Sequence, residues 1–278
     1  MDIAKLLQAV VYGIVQGVTE FLPISSSAHL TLLPKLFGWS DGGLGFGMAL
    51  HLGTGLAVLI YFRKRWASLL RAGFTKPKSP EGVLLWIIAG STVPAALFGV
   101  LLSDKIGALQ ENVYVIGTLL IVMGLVLLAA DRLGKNDVRR LEDVHAKRGV
   151  AVGLAQCLAI IPGVSRAGIT ITAGRLLGVD RAVAAEYTFL LSAPIIFGDA
   201  AYHVLKMYSD PDAARNLQVI GGTPALAVGI LVSAVVGTLS IKFLLDFLKR
   251  KGLAVFAVYR FALGAAILAA AAFGWIAP

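Results

Sequence analysis

The sequence predicts an all-α, polytopic membrane protein with six transmembrane helices plus two re-entrant helix-turn-helix hairpins in an inverted-topology repeat. Three observations predict it. The chain of 278 residues is 58% hydrophobic and only 15% charged, with a mean hydropathy of +0.82. A soluble domain of that length needs more charge on its surface. Several windows stay apolar over the ~20 residues that a helix needs to cross a bilayer. Finally, two short stretches, one in each half, place proline, hydroxyls and ionisable groups inside otherwise apolar segments. Such groups are costly at bilayer depth and are functional by default.

The elements follow in order. A broken apolar pattern, 6–22 with 24–37, comes first and is followed by spans at 44–62, 83–103 and 113–130. A second broken pattern, 150–161 with 167–178, precedes spans at 184–205, 224–248 and 253–276. The halves of each broken pair are too short to cross alone. Irregular backbone at that depth is tolerated only inside protein or along a wet cavity, so both pairs read as re-entrant hairpins. Segment 6–22 fits a signal peptide poorly, because Glu20 lies within it and no small-residue cleavage site follows. The single Cys157 excludes an intrachain disulfide and reads as a small packing residue.

Basic residues set the orientation. Loop 63–82 carries Arg63, Lys64, Arg65, Arg71, Lys76 and Lys78; loop 131–148 carries Arg132, Lys135, Arg139, Arg140, Lys147 and Arg148; turn 249–252 carries Lys249, Arg250 and Lys251. The other side has only Lys5, Lys35, Lys105, Lys206 and Arg215. The positive-inside bias then places the three rich segments in the cytoplasm and both termini outside. The net charge of +9 is thereby read as topology determinants and contacts for membrane lipids, with no nucleic-acid partner. Three spans follow each hairpin, so the two hairpins enter from opposite faces. The expectation is one membrane domain, 1–278, with repeats of about residues 1–130 and 148–278 joined by a cytoplasmic loop 131–148. Such repeats commonly bind their ligand at mid-membrane, where broken helices meet.

The hairpins carry the chemistry. Ser25, Ser26 and Ser27 occupy the N-cap and first turn of one inner half-helix, and Ser165 the equivalent place in the other. Serine there often only satisfies backbone donors. Two helix N-termini with Arg166 beside one nevertheless make a receptor for phosphate or diphosphate. Gln16 and Glu20, four residues apart, share a helix face, and a carboxylate beside phosphate can hold a divalent cation. Pro23 turns the chain and is expected to bring His29 back toward Glu20. Histidine or a serine would then be nucleophile, or histidine the general acid/base.

Other polar residues are less telling. His51, in Leu50-His51-Leu52-Gly53-Thr54, either lines the cavity or belongs to a close helix contact. Glu186 is expected to pair with Arg166 or Arg175, Arg260 to snorkel or pair, and Asp246 to pair with Lys242. His145 and His203 carry no signal. These residues alone do not separate an enzyme from a transporter or flippase for a phosphate-bearing lipid. A scaffold would leave Arg166 and Glu20 unexplained, and an acid next to an imidazole favours chemistry.

Residues 16–29, Gln-Gly-Val-Thr-Glu-Phe-Leu-Pro-Ile-Ser-Ser-Ser-Ala-His, and 162–170, Pro-Gly-Val-Ser-Arg-Ala-Gly-Ile-Thr, closely resemble the two signature motifs of the bacterial undecaprenyl-diphosphatase (bacitracin-resistance) family. Leu-His-Leu-Gly-Thr (50–54) and Ala-Val-Tyr-Arg-Phe (257–261) also look familial. The resemblance implies an enzyme of the bacterial inner membrane with its active site toward the outer face. It would hydrolyse undecaprenyl diphosphate to the monophosphate carrier of cell-wall synthesis, assisted by a divalent cation, Mg²⁺ or Ca²⁺. Glu20 and Gln16 would hold metal and phosphate. His29 and Ser26 would be candidates for nucleophile or proton transfer, with Ser25 and Ser27 assisting. Arg166 and Ser165 would clamp the diphosphate, with Gly163 and Thr170 of the same motif also binding substrate. A homodimer is compatible with all of this.

Two positions depart from the family's pattern. Gln16 stands at a position that carries Glu or Gln, so the implied metal site would gain one neutral oxygen and carry less negative charge. Ala167 replaces the usual second serine of the arginine motif. The acid-phosphatase-like lipid phosphatases fit poorly, because no histidine follows Ser165-Arg166 within that motif.

Overall fold

The computed structural model describes residues 2–39, 43–209 and 222–277. Arg215 lies outside the described residues, as do the side chains of Lys105 and Lys206. Among the described residues the chain is helical throughout, and the only β feature is an isolated bridge between Val138 and Val179.

The first hairpin is α1 (Ile3–Thr19) and α2 (Ser26–Phe37); α3 (Gly43–Tyr61), α4 (Arg63–Thr75), α5 (Pro80–Gln110) and α6 (Val113–Leu133) follow. The second hairpin is α7 (Ala146–Gln156), extended by a 3₁₀ turn Cys157–Ile160, and α8 (Arg166–Leu176). It leads into α9 (Arg181–Ser209), α10 (Gly222–Leu248) and α11 (Ala254–Ala272). Some helix starts carry side-chain caps, although Ser25 ahead of α2 makes no such bond. The Asn112 side chain accepts from the N–H groups of Tyr114 and Val115 at 3.0 and 3.1 Å. Ser79 accepts from the Gly82 N–H ahead of α5, whose first residue is Pro80.

Five helices (α5, α6, α9, α10 and α11) contain segments long and apolar enough to cross a membrane, and a sixth crossing results if the bent α3–α4 pair counts as one. Their outward faces are apolar: Leu97, Leu101, Leu125, Leu231, Leu239 and Phe243 are all exposed, as a lipid-facing surface requires. One expectation needs correcting. Residues 63–75, read as part of a basic loop, form a helix that leaves α3 at a bend of 77°. Its apolar face places Leu69 and Gly73 inside, while Arg63, Lys64 and Arg71 stay exposed. The amphipathic period was hidden in the sequence by the density of cations.

Helix α10 packs against α1 and α3, α11 against α6, and α5 against α4, α7 and α9; α8 lies among α6, α7 and α9. The α6–α11 crossing is close enough that a Cβ on Gly264 would meet the Gly117 carbonyl at 2.6 Å. Only small residues permit that approach.

Two ionic hubs tie the chain together beyond the hairpin tips. Buried Asp131, in the last turn of α6, accepts from Arg181 and from the Leu253 N–H at 2.9 Å, and lies 3.8 Å from Arg175. It thus joins α6, α8, α9 and the start of α11. Arg65 on α4 meets Glu142 as well as Glu81 at 3.5 Å and Glu186 at 3.6 Å. Glu186 therefore pairs with Arg65, not with Arg166 or Arg175, because those two arginines are engaged elsewhere. Asp246 likewise pairs with Lys249 at 2.9 Å and not with Lys242. Burial alone would raise the Glu142 carboxyl, but its own backbone N–H and the Arg65 and Arg140 guanidiniums hold it below its ordinary value.

Asp131→Ala should lower stability by about 3–5 kcal/mol, because it takes the carboxylate from two guanidiniums and the partner from a buried N–H. Asp246→Ala, at a solvent-exposed pair, should leave the thermal midpoint in detergent unchanged.

Candidate active site

Both hairpins turn in the same unusual way. Ser25 (φ 76°) and Ser165 (φ 73°) are the only non-glycine residues with positive φ among those described. Each stands directly before its inner half-helix, α2 or α8. A β-carbon at positive φ costs of order 1–3 kcal/mol and persists only where the surroundings hold it. At Ser165 the side chain accepts from the Gly168 N–H at 3.1 Å. At Ser25 the carbonyl accepts from His29 Nδ1 at 2.7 Å. The two turns touch, with the Gly163 N–H reaching Ser27 Oγ at 3.5 Å.

Glu20 sits at this junction, buried at the C-terminal end of α1. Its Oε2 accepts from Ser26 Oγ at 2.7 Å and from Gln16 Nε2 at 3.2 Å. Its Oε1 faces Arg166 Nη2 of the other hairpin at 3.5 Å. Two polar atoms of this group stay buried without a protein partner: Gln16 Oε1 and Arg166 Nη1. A buried donor and a buried acceptor left unpaired cost free energy.

His51 from α3 completes the cluster. Its Nδ1 bonds the Gly47 carbonyl at 2.9 Å and must carry the proton there, which turns Nε2 toward Glu20 Oε2 at 3.7 Å.

The structure thus gathers Gln16, Glu20, Ser25, Ser26, Ser27, Gly163, Ser165 and Arg166 around the two tips. His29 does not join Glu20, contrary to the sequence expectation. Its Nδ1–H caps the Ser25 carbonyl one turn back, which swings the ring to α11, and Tyr259 donates to Nε2 at 2.7 Å. Thr170 is turned into the protein, where it donates to the Arg166 carbonyl at 2.7 Å and accepts from Thr188 at 2.9 Å. Sequence reasoning left His51 undecided and missed Tyr259. The available signals were each residue's depth within an apolar span and its place in a familial stretch, 50–54 or 257–261. It also misjudged Arg260, whose guanidinium is fully buried and bonds the Pro23 and Gly163 carbonyls of the two turns at 3.2 and 2.7 Å.

A carboxylate, a guanidinium, a hydroxyl that donates to the carboxylate, and two inner helix N-termini form a set suited to a phosphorylated headgroup. Residues 9–266 match the family described as bacitracin resistance protein BacA. The chain belongs to this family. Among its relatives, proteins named undecaprenyl-diphosphatase from Desulforudis audaxviator and Moorella thermoacetica are 46% and 47% identical. These alignments cover 94% and 95% of this chain and 96% and 97% of the relatives. A relative of the same name from a Nocardioides species is 43% identical over 98% of both chains. Both signature motifs lie within the region that matches the BacA family.

Gly163 tests the strained turn. At φ +86° an added Cβ would lie 2.9 Å from the Ile116 carbonyl. Gly163→Ala should lower stability by about 2–4 kcal/mol, from backbone strain plus the clash. Gly38→Ala, at φ +64° with open space around it, should cost about 1 kcal/mol or less. Thermal unfolding in detergent would rank the two.

Proposed function

We propose that this chain is an undecaprenyl-diphosphatase: it hydrolyses undecaprenyl diphosphate to undecaprenyl phosphate and inorganic phosphate, and so returns the lipid carrier to cell-wall synthesis. The observation that carries the reading is the convergence of Glu20 and Arg166, one from each hairpin, 3.5 Å apart at the junction of the two turns. Family membership and the shared name of the relatives support the same reaction.

In this reading Arg166 takes the terminal phosphate through its unpartnered Nη1, helped by the N-termini of α2 and α8. Ser26, whose hydroxyl already donates to Glu20, is the nucleophile. As Ser26 Oγ bonds the terminal phosphorus, its proton passes to Glu20. The bridging P–O bond breaks, and its electron pair leaves with the lipid monophosphate. Water then attacks the phosphoserine phosphorus; the bond from phosphorus to Ser26 Oγ breaks, Glu20 returns its proton to that oxygen, and the water's protons leave with inorganic phosphate. Gln16, Ser25, Ser27, Gly163 and Ser165 shape the headgroup site. Thr170 fixes the first turn of α8, and His29 supports the Ser25 turn.

Glu20 with the orphaned Gln16 Oε1 offers oxygen donors suited to a hard cation, Mg²⁺ or Ca²⁺. When bound, such an ion neutralises charge on the phosphate oxygens.

The architecture we propose is an inverted repeat with both termini outside and the site opening toward the outer face of the inner membrane. The packing supports the repeat. Exchanging the halves maps α1–α10 onto α7–α5 and α3–α10 onto α9–α5, while α3–α9 and α6–α11 map onto themselves.

Purified protein given a polyprenyl diphosphate should release phosphate with Mg²⁺ or Ca²⁺ and stop on chelation. A flippase would release none. Ser26→Ala, Glu20→Gln and Arg166→Ala should each cut release by about 10²- to 10⁴-fold while the protein stays folded. Acid-quenched phosphoserine in wild type but not in Ser26→Ala would identify the nucleophile; its absence under single turnover would transfer that role to water.

A further inference from the structure

Arg260 lies in α11 with none of its surface exposed. Its Nε donates to the Leu120 carbonyl at 3.1 Å, and Nη1 to the carbonyls of Pro23 and Val164, each at 3.2 Å. Nη2 donates to the carbonyls of Gly163 at 2.7 Å, Val164 at 3.2 Å and Leu119 at 3.3 Å. Every partner is a neutral carbonyl. Among the described residues no carboxylate pairs with it, whereas the other large buried arginine, Arg175, has Asp131 at 3.8 Å.

A buried charge without a counter-ion is expensive, and neutral donors could bond carbonyls without that penalty. The location of the charge explains the choice. Pro23 and Gly163–Val164 belong to the two turns, and a Cβ on Gly168 would lie 3.0 Å from Nη1. The guanidinium therefore stands behind the first turn of α8, next to the helix end that carries Arg166. Arg166 and Glu20 already balance each other. An arriving diphosphate needs positive charge that the site has not yet spent.

We propose that Arg260 is the standing counter-charge of the diphosphate, a positioning residue that acts from behind both turns without touching substrate. This rests on the headgroup placement proposed above. Its carbonyl bonds hold the turns in register, and its charge sets the potential into which the headgroup docks.

The test compares Arg260→Lys, which keeps the charge with fewer bonds, and Arg260→Gln, which loses it. Arg166→Ala serves as the reference, and the readout is competitive inhibition by inorganic pyrophosphate at fixed Mg²⁺. Thermal midpoints should fall alike in both Arg260 variants. Pyrophosphate inhibition should weaken by about tenfold or more in Arg260→Gln and by about threefold or less in Arg260→Lys. Equal weakening in the two variants, or a Gln variant that does not fold while the Lys variant does, would make the residue a scaffold group and overturn the proposal. Loss of inhibition in Arg166→Ala but not in Arg260→Gln would overturn it alone. Retention in both would also overturn the headgroup placement.

Discussion

The rest of the structure is arranged around one carboxylate buried deep in an apolar protein. Glu20 is held there by a guanidinium from the opposite hairpin, a serine hydroxyl and an amide N–H. No single hairpin could supply all of these, so the two broken helices must meet. That meeting in turn requires backbone at unfavourable φ, and the φ values of Ser25 and Ser165 follow from it. The Gly117–Gly264 approach brings α11 close enough to α6 for Arg260 to reach both turns. Remote packing and local strain thus serve one junction.

The division of labour among the arginines follows the same logic. Arg175 and Arg181 share Asp131 and fasten helix ends, and Arg65 gathers three carboxylates where α4, α5 and α9 come together. These are structural neutralisations. Arg166 and Arg260 differ: Arg166 faces Glu20 yet keeps a buried Nη1 with no partner, and Arg260 meets only carbonyls.

Much of this was legible in the sequence. The broken apolar patterns located both hairpins within a few residues, since proline and clustered hydroxyls cannot continue a membrane helix without compensation. The set from Gln16 to Ser27 and from Gly163 to Arg166 was also readable, because each member lies within a few residues of a turn. What failed was anything set by rotation about a helix axis or by contacts between distant segments. His29 was placed by its nearness in sequence to Glu20, yet its rotamer follows the Ser25 carbonyl and Tyr259. His51 is brought to Glu20 only by the packing of α3 beside α1. Glu186 found Arg65 because α4 is a helix and not a loop, which spacing alone did not reveal.

The 77° bend between α3 and α4 also bears on the site. A helix turned through that angle, with Phe74 and Leu70 outward beside Arg71, has the mixed apolar and cationic surface of helices that lie along a membrane interface. The helix that ends at this bend is the one that carries His51 to Glu20, so the amphipathic arm and the carboxylate junction are joined through a single element.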